Sequence, residues 1–462
     1  YRADCYIKME DYTNALKDYD KAIELAPEDP RYYNNRADFY ETQENYDEAL
    51  ADYARVIETS TDSYNTARAI NNRAMIYEVE EKYELAIEEF TKALTFFEHP
   101  IIYRQRADAY IISKDYKKAL ADFTKAIELD KEDPESYDNR ADCYVAMKDY
   151  TNALMDHTRA IDLEPDNEMW YLYRAATYEV IKEKEKQLND LNKALNIFEE
   201  FSYGYVSRGD YYLEKKDYDN AIADYLQAIN FDSLYNYPKR RLAHCYSELE
   251  KYSKALQVLN EAIAIDSTYT TFYDDRLLCY ILLGDTLKAL EESNYLVQRD
   301  PDKSDVYSNR AMLYVIIEQY DKANKDFNKA IKLDPENTSS YFYRAKMYHK
   351  QEEYEKEKED YLKTIEMNDE DPEGYYYLAG FYVNQNKSFQ AISYFEKAIS
   401  RLSADLGYYI TAENGNDKIE LADIYIKRAE VYKNAEAIEL MCEDYKNACD
   451  LGDCEMFNTN CK

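Results

Sequence analysis

The sequence predicts an all-α solenoid of about thirteen helix-turn-helix repeats, and three observations carry that expectation. Thirteen tyrosines form a ruler: Tyr6, Tyr40, Tyr77, Tyr110, Tyr144, Tyr178, Tyr212, Tyr246, Tyr280, Tyr314, Tyr348, Tyr382 and Tyr432. Their gaps are 34, 37, 33, then eight of 34, and finally 50, the mark of one supersecondary unit copied along the chain. Within each unit the large residues recur at helical spacings of 3, 4 and 7, which gathers them on one face of each helix. Only 8 Gly and 9 Pro in 462 residues leave no room for long flexible linkers.

The fifth copy shows the elements in order. Tyr137 stands seven before the ruler Tyr144, and a short polar turn at Lys148-Asp149 follows. Ala153 and Ala160, seven apart on the second helix, let the two helices approach closely. His157 holds the place that other copies give to Tyr or Phe, and Pro165 closes the unit, because proline cannot continue a helix. Most of the 53 tyrosines fall on framework positions of this pattern and are read as core.

Composition narrows the partners. With 93 acidic against 58 basic residues the net charge is -35, which disfavours nucleic acid and anionic membrane and favours a basic ligand. No apolar run approaches the length of a membrane span, so no direct membrane insertion is expected. The chain opens on Tyr1, in mid-repeat, as expected of a fragment or processed form.

The repeated Ala places (Ala15, Ala49, Ala86, Ala119, Ala153 and their partners Ala22, Ala93, Ala126, Ala160) resemble the tetratricopeptide repeat (TPR) family along essentially the whole chain. The family usually has Trp seven before the ruler, where this chain has Tyr. It usually has Gly three before, where this chain has mostly Ala and once Gly209. The resemblance implies a right-handed superhelix whose first helices line a concave groove. The array is expected over 1–400 (repeats 1–12), an insertion over 401–418, and a last divergent repeat with a Cys-bearing cap over 419–462.

Four before the ruler stands Arg in eleven copies, and twelve after it an acid in eleven copies, as in Arg36 with Asp52, Arg106 with Asp122, Arg140 with Asp156 and Arg310 with Asp326. The exceptions coincide: Leu242 goes with Val258, and Leu378 with Tyr394. The inference is an ion pair within one repeat, exchangeable as a unit for apolar residues. Asp224 stays acidic although Leu242 follows it, which argues against a pair with the preceding repeat.

By the family's geometry the groove positions hold Asp4, Asp38, Asp108, Asp142 and Asp210, flanked by Asn35, Asn72, Asn139 and Asn309. Later repeats place aromatics there: Tyr173, Tyr203, Tyr237, Phe342, Tyr343, Tyr376 and Tyr377. The expectation is a two-part surface gripping an extended basic and apolar segment. The bland alternatives are a solvated helix face for the acids and repeat packing for the aromatics. A carboxylate-clamp TPR needs Lys and Asn where this chain has Asp38 and Asp108, so capture of an acidic tail is not expected.

The three extra residues around Thr59-Ser60-Thr61-Asp62 and the sixteen through Leu402–Lys418, with the turn Asn414-Gly415-Asn416, are contact sites or bland loops. Gln187 in repeat 6, and Glu357 with Thr364 in repeat 11, replace small residues, so these joints should open first. Cys5, Cys143, Cys245 and Cys279 share one repeat position and are read as small core residues. Cys442, Cys449, Cys454 and Cys461 are either a disulfide-stapled cap in an oxidising compartment or four thiols in a cytoplasmic one.

No zinc spacing, nucleophile elbow or phosphate loop occurs in the sequence, so no metal, cofactor or catalytic residue is assigned. The reading is a non-catalytic scaffold for protein or peptide partners. The alternatives are a subunit of a homomeric or multiprotein assembly, or the regulatory part of an enzyme whose catalytic domain precedes Tyr1.

Overall fold

The protein is described by a computed structural model covering residues 2–402, 410–411 and 418–461. Two compact units are present, Tyr1–Cys245 and Tyr246–Lys462. Each is a succession of antiparallel helix pairs, typically a first helix of 13 residues and a second of 14, as in Pro134–Ala146 and Tyr150–Leu163. Among the described residues the only strands are Ile410–Thr411 and Lys418–Ile419, which pair antiparallel inside the long insertion. The turn Asn414-Gly415-Asn416 lies outside the described residues. No described helix is long and apolar enough to cross a membrane.

The turn inside each pair follows from the chain's own hydrogen bonding. In repeat 5 the Asp149 N–H donates to the ruler carbonyl of Tyr144 at 2.8 Å, closing a Schellman-type end. That closure forces the residue before it into the left-handed region. Glu, Lys or Asn occupies the position in twelve turns, at φ between 54° and 62°, and Gly284 takes it once at 72°. The next residue caps the second helix wherever it is Asp: Asp149 accepts from the Asn152 N–H at 3.3 Å, satisfying an orphan donor.

Packing depends on smallness. Ala119, Ala126, Ala153 and Ala160 are fully buried, and the +13 ring, such as Tyr53, Phe90 or Phe123, fills the space beside them. Gly209 is smaller still because a Cβ there would meet the Tyr225 ring at 2.7 Å. In repeat 6 Gln187 is buried beside Lys184, whose Nζ donates to its Oε1 at 3.4 Å. In repeat 11 the buried Glu357 pairs with His349 Nδ1 at 2.9 Å.

The three-residue insertion is not a loop. It lengthens the following first helix, Ser63–Val79, to 17 residues, with Asp62 as its cap. The hydrogen-bonding demand of the backbone turns the extra residues into one more helical turn.

At the C-terminus, Cys442–Cys461 and Cys449–Cys454 form disulfides, the first tying helix Ile438–Asp450 to the end of helix Glu455–Asn460. Cys143, Cys245 and Cys279 are buried, whereas Cys5 is exposed. It sits on helix Arg2–Lys8, which packs against Tyr12–Leu25, and departs from the core reading of its three counterparts.

Candidate functional site

The structure brings the arginine and the acid of each repeat together. Arg140 Nε and Nη2 donate to Asp156 at 2.7 and 2.8 Å. Arg36 reaches Asp52 at 2.8 and 2.8 Å, Arg106 reaches Asp122 at 2.7 and 2.7 Å, and Arg310 reaches Asp326 at 2.7 and 2.9 Å. These are bidentate, charge-assisted pairs. The guanidinium also lies near the two framework tyrosines: Arg310 is 5.8 Å from the Tyr307 and Tyr314 ring centroids alike, within cation–π range.

The arginine has a third partner, and the restriction to one repeat needs correcting. Its Nη1 donates backward to the residue fourteen after the preceding ruler: Arg140 to Thr124 at 3.2 Å, Arg174 to Thr158 at 3.1 Å, Arg208 to Asn192 at 2.8 Å, and Arg310 to Asn294 at 3.0 Å. Where the arginine is Leu242 or Leu378, that residue is Leu226 or Leu362. Three positions change together, so the arginine ties neighbouring repeats as well as its own two helices.

The carboxylates expected in the groove divide into two kinds. Asp38 accepts from Tyr53 Oη at 2.7 Å and Asn72 Nδ2 at 2.9 Å, and it is ion-paired with Arg68. Asp210 accepts from Tyr225 Oη at 2.6 Å, Tyr237 Oη at 3.0 Å and Arg241 Nε at 2.9 Å. Both are committed to internal partners and do not belong to an open acidic ladder. In both, one donor is the +13 tyrosine of the same repeat. In repeats 4 and 5 that residue is Phe123 or His157, and Phe has no hydroxyl to give.

Asp108 and Asp142 therefore have a different character. Burial, reinforced by Glu135 and opposed by Arg104, pushes the Asp108 carboxyl up to about 6. Burial of its carboxyl, with Asp138 adding and His157 opposing, pushes Asp142 up to about 6 as well, although the residue as a whole is exposed. Glu78, which the sequence reading passed over, is pushed up to about 7 by burial and by Asp108. In all three, burial disfavours the charged form and a neighbouring carboxylate disfavours it further. The side chain of Asp4 lies outside the described residues.

Of the flanking amides, Asn35 Oδ1 accepts from Arg68 at 3.4 Å, Asn72 donates to Asp38 as above, and Asn139 is half-buried. Tyr173 is 36% exposed, with its ring 6.0 Å from Trp170. Burial, Asp138, Asp142 and the exposed Tyr203 all raise its phenol, so acidic and aromatic groups meet on one surface here. Tyr173 and Trp170 border a cleft of about 590 Å³ whose wall includes Asp130, Glu132, Asp133, Glu135 and Glu164. Arg104 is that wall's arginine, held by Asp133 at 3.1 Å and by Glu135.

The later aromatics are another matter. Tyr377 is only 7% exposed, stacked 6.1 Å from Tyr361 and edge-on to Phe342 at 5.2 Å. Phe342 is buried too, and Lys346 Nζ lies 4.8 Å from the Tyr377 centroid. Tyr377 is core, because the side-chain periodicity that predicts the groove also lets neighbouring first helices close over it. Tyr343 is half-buried against the same cluster.

One chemically suggestive chain proves sealed. His157 Nδ1 is 2.9 Å from Asp138 and Nε2 is 3.0 Å from Thr177 Oγ1, a nucleophile–histidine–acid order. All three are buried, so no substrate reaches the hydroxyl. The arrangement supplies the hydrogen bonds that a histidine in an aromatic core position requires. Among the described residues no group of His, Cys, Asp and Glu could hold a metal ion.

Tetratricopeptide repeat models match residues 28–99, 1–29 and 304–337, 100–133, 327–359, and 134–167, 202–233 and 241–269. Together these span more than half of the chain. The chain belongs to the tetratricopeptide repeat family. TPR arrays are protein-interaction scaffolds. No curated protein sequence matches it.

Similar solved structures include a TPR protein from Parabacteroides merdae at 19% identity and TM-score 0.42, covering 55% of this chain and 94% of that one. Yeast Tom70 is similar at 18% identity and TM-score 0.38, covering 86% and 94%. YrrB, described as a TPR protein with an unusual peptide-binding site, is similar at 25% identity and TM-score 0.34, covering 40% and 95%.

Proposed function

We propose that this TPR chain is a non-catalytic scaffold whose first unit holds an extended partner segment carrying basic and apolar residues. The carrying observation is the pair Asp108 and Asp142, with Glu78 beside Asp108: each carboxyl is raised by burial, with a neighbouring carboxylate adding to the shift. A lysine or arginine brought beside them would lower all three, and that relief favours a cationic ligand over any other. Tyr173 and Tyr203 continue the surface with exposed ring area, suited to apolar side chains and to the stems of basic ones.

Selection from a random-sequence peptide display library tests the reading. The expected result is enrichment of peptides that combine Lys or Arg with apolar residues, eluted by salt. Enrichment of acidic or uncharged peptides would overturn it.

A further inference from the structure

Two cavities adjoin in the first unit, near the N-terminal ends of its helices Ser63–Val79, Pro100–Ile112, Pro134–Ala146 and Glu168–Val180. The smaller, about 220 Å³, is walled by Tyr64, Ala67, Phe97, Ile101 and Ile102. Tyr64, Phe97 and Ile101 are exposed, so the pocket opens to solvent, and the Tyr64 and Phe97 rings meet edge-on at 5.4 Å. Arg68 also lines it and is already ion-paired with Asp38. A volume under the roughly 300–1,000 Å³ of sites for drug-sized ligands is on the scale of one apolar side chain. The larger cavity is the cleft of about 590 Å³ bordered by Trp170 and Tyr173. His99 and Ile101 line both cavities, and His99 Nδ1 accepts from the Ile101 N–H at 3.3 Å, which ties the dividing wall together.

The cleft has five carboxylates against one arginine, and Arg104 is engaged by Asp133 and Glu135. The donors to two of the others carry no charge: Glu164 accepts from the Trp170 indole N–H at 3.1 Å and the Asn167 amide at 3.2 Å, and Asp130 from the Glu132 main-chain N–H at 3.0 Å. Glu132 is exposed. The indole bond sets Glu164 at the edge of the Trp170 ring, with Tyr173 extending the aromatic wall 6.0 Å away. A cation entering here meets a carboxylate and an aromatic ring together. We propose that the two cavities are adjoining subsites for one extended segment, the smaller taking an apolar side chain and the cleft taking an arginine. Because the cavities share a wall, residues close together on a segment that advances about 3.3 Å per residue reach both. Arginine suits the cleft better than lysine, since its planar fork stacks on rings while donating to carboxylates from two loops. The proposal rests on the reading that a basic and apolar segment binds this unit, and it names the two anchoring side chains.

The test is titration calorimetry with three peptides: acetyl-(Leu-Arg)4-amide, a counterpart with citrulline for arginine, and one with serine for leucine. Wild type is expected to bind the first about tenfold or more tighter than either counterpart. In D130N/E132Q/E164Q the preference for arginine over citrulline should fall about fivefold or more, while the preference for leucine over serine persists. Y64S/F97S should do the reverse, and Y64S alone serves if circular dichroism finds the double variant unfolded. Trp170 is the only tryptophan, so its emission reads the cleft directly and should change as the arginine peptide saturates. If D130N/E132Q/E164Q keeps the wild-type arginine preference, or Trp170 emission is unchanged at saturation, the cleft is not the arginine site, although the basic-segment reading stands. If the tyrosine and phenylalanine variants keep the leucine preference, the apolar subsite falls. If wild type does not prefer arginine to citrulline at all, this proposal and the basic-segment reading both fall.

Discussion

Replacing Arg140 by Leu removes a side chain that is 17% exposed and holds Asp156, itself 9% exposed, through two hydrogen bonds, with a third to Thr124. A nearly buried carboxylate left without its counter-ion costs about 3–5 kcal/mol. The chain itself shows how that cost is avoided: Leu242 and Leu378 are fully buried, and they occur with an apolar residue at both partner positions. R140L should therefore destabilise by about 3–5 kcal/mol, whereas R140L/D156V/T124L should return to within about 1 kcal/mol of wild type. The double R140L/D156V should fall between them, because Thr124 loses its donor. The assay is urea denaturation followed by circular dichroism, with hydrogen exchange on helix Tyr150–Leu163 to localise the loss, since repeat arrays unfold in parts. A triple variant no more stable than R140L would refute the three-partner clamp.

Other consequences are as direct. Glu78 and Asp108 have folded-state values of about 7 and 6 against ordinary values of 4.5 and 3.8, so the folded chain keeps protons that the unfolded chain has released. The stability these two groups contribute is then fully present below about pH 4 and is lost as pH rises through 6 to 7. A chemical-denaturation series across that range should show the fall, and E78Q/D108N should flatten it. Gly209→Ala forces the Tyr225 ring to move and should cost about 1–3 kcal/mol, read as a lower denaturation midpoint. Removing the Cys442–Cys461 bridge, which closes a 19-residue separation, should cost about 3 kcal/mol in the last repeat, seen as faster hydrogen exchange in helices Ile438–Asp450 and Glu455–Asn460 in C442S/C461S.

The features legible in the sequence are those repeated often enough to reveal their own register. The period, the paired helices and the sixteen-residue spacing of arginine and acid all recur, and two matched losses tied the arginine to its acid. The backward partner of the arginine escaped because it varies among Asp, Thr and Asn (Asp20, Thr124, Asn192); any of them offers the oxygen a guanidinium needs, so no single letter repeats. The division of the carboxylates was present but unread. Asp38 with Tyr53, and Asp210 with Tyr225, stand fifteen apart in the same repeat, while Asp108 and Asp142 face Phe123 and His157 at that spacing. Tyr377 was misplaced because residues of the first helix serve both the groove and the contact with the next repeat. Which use prevails depends on how far neighbouring helices close, and spacing alone does not encode that.

The central claim is that Asp108 and Asp142 are held for a cationic partner while Asp38 and Asp210 are spent on the fold. The measurement that tests it most directly compares D108N/D142N with D38N/D210N for affinity toward acetyl-(Leu-Arg)4-amide at low and moderate salt, and for denaturation midpoint. The account predicts that D108N/D142N loses affinity and salt dependence while its midpoint holds or rises, and that D38N/D210N loses stability while the folded fraction still binds. The reverse pattern, with binding lost in D38N/D210N and retained in D108N/D142N, would contradict it.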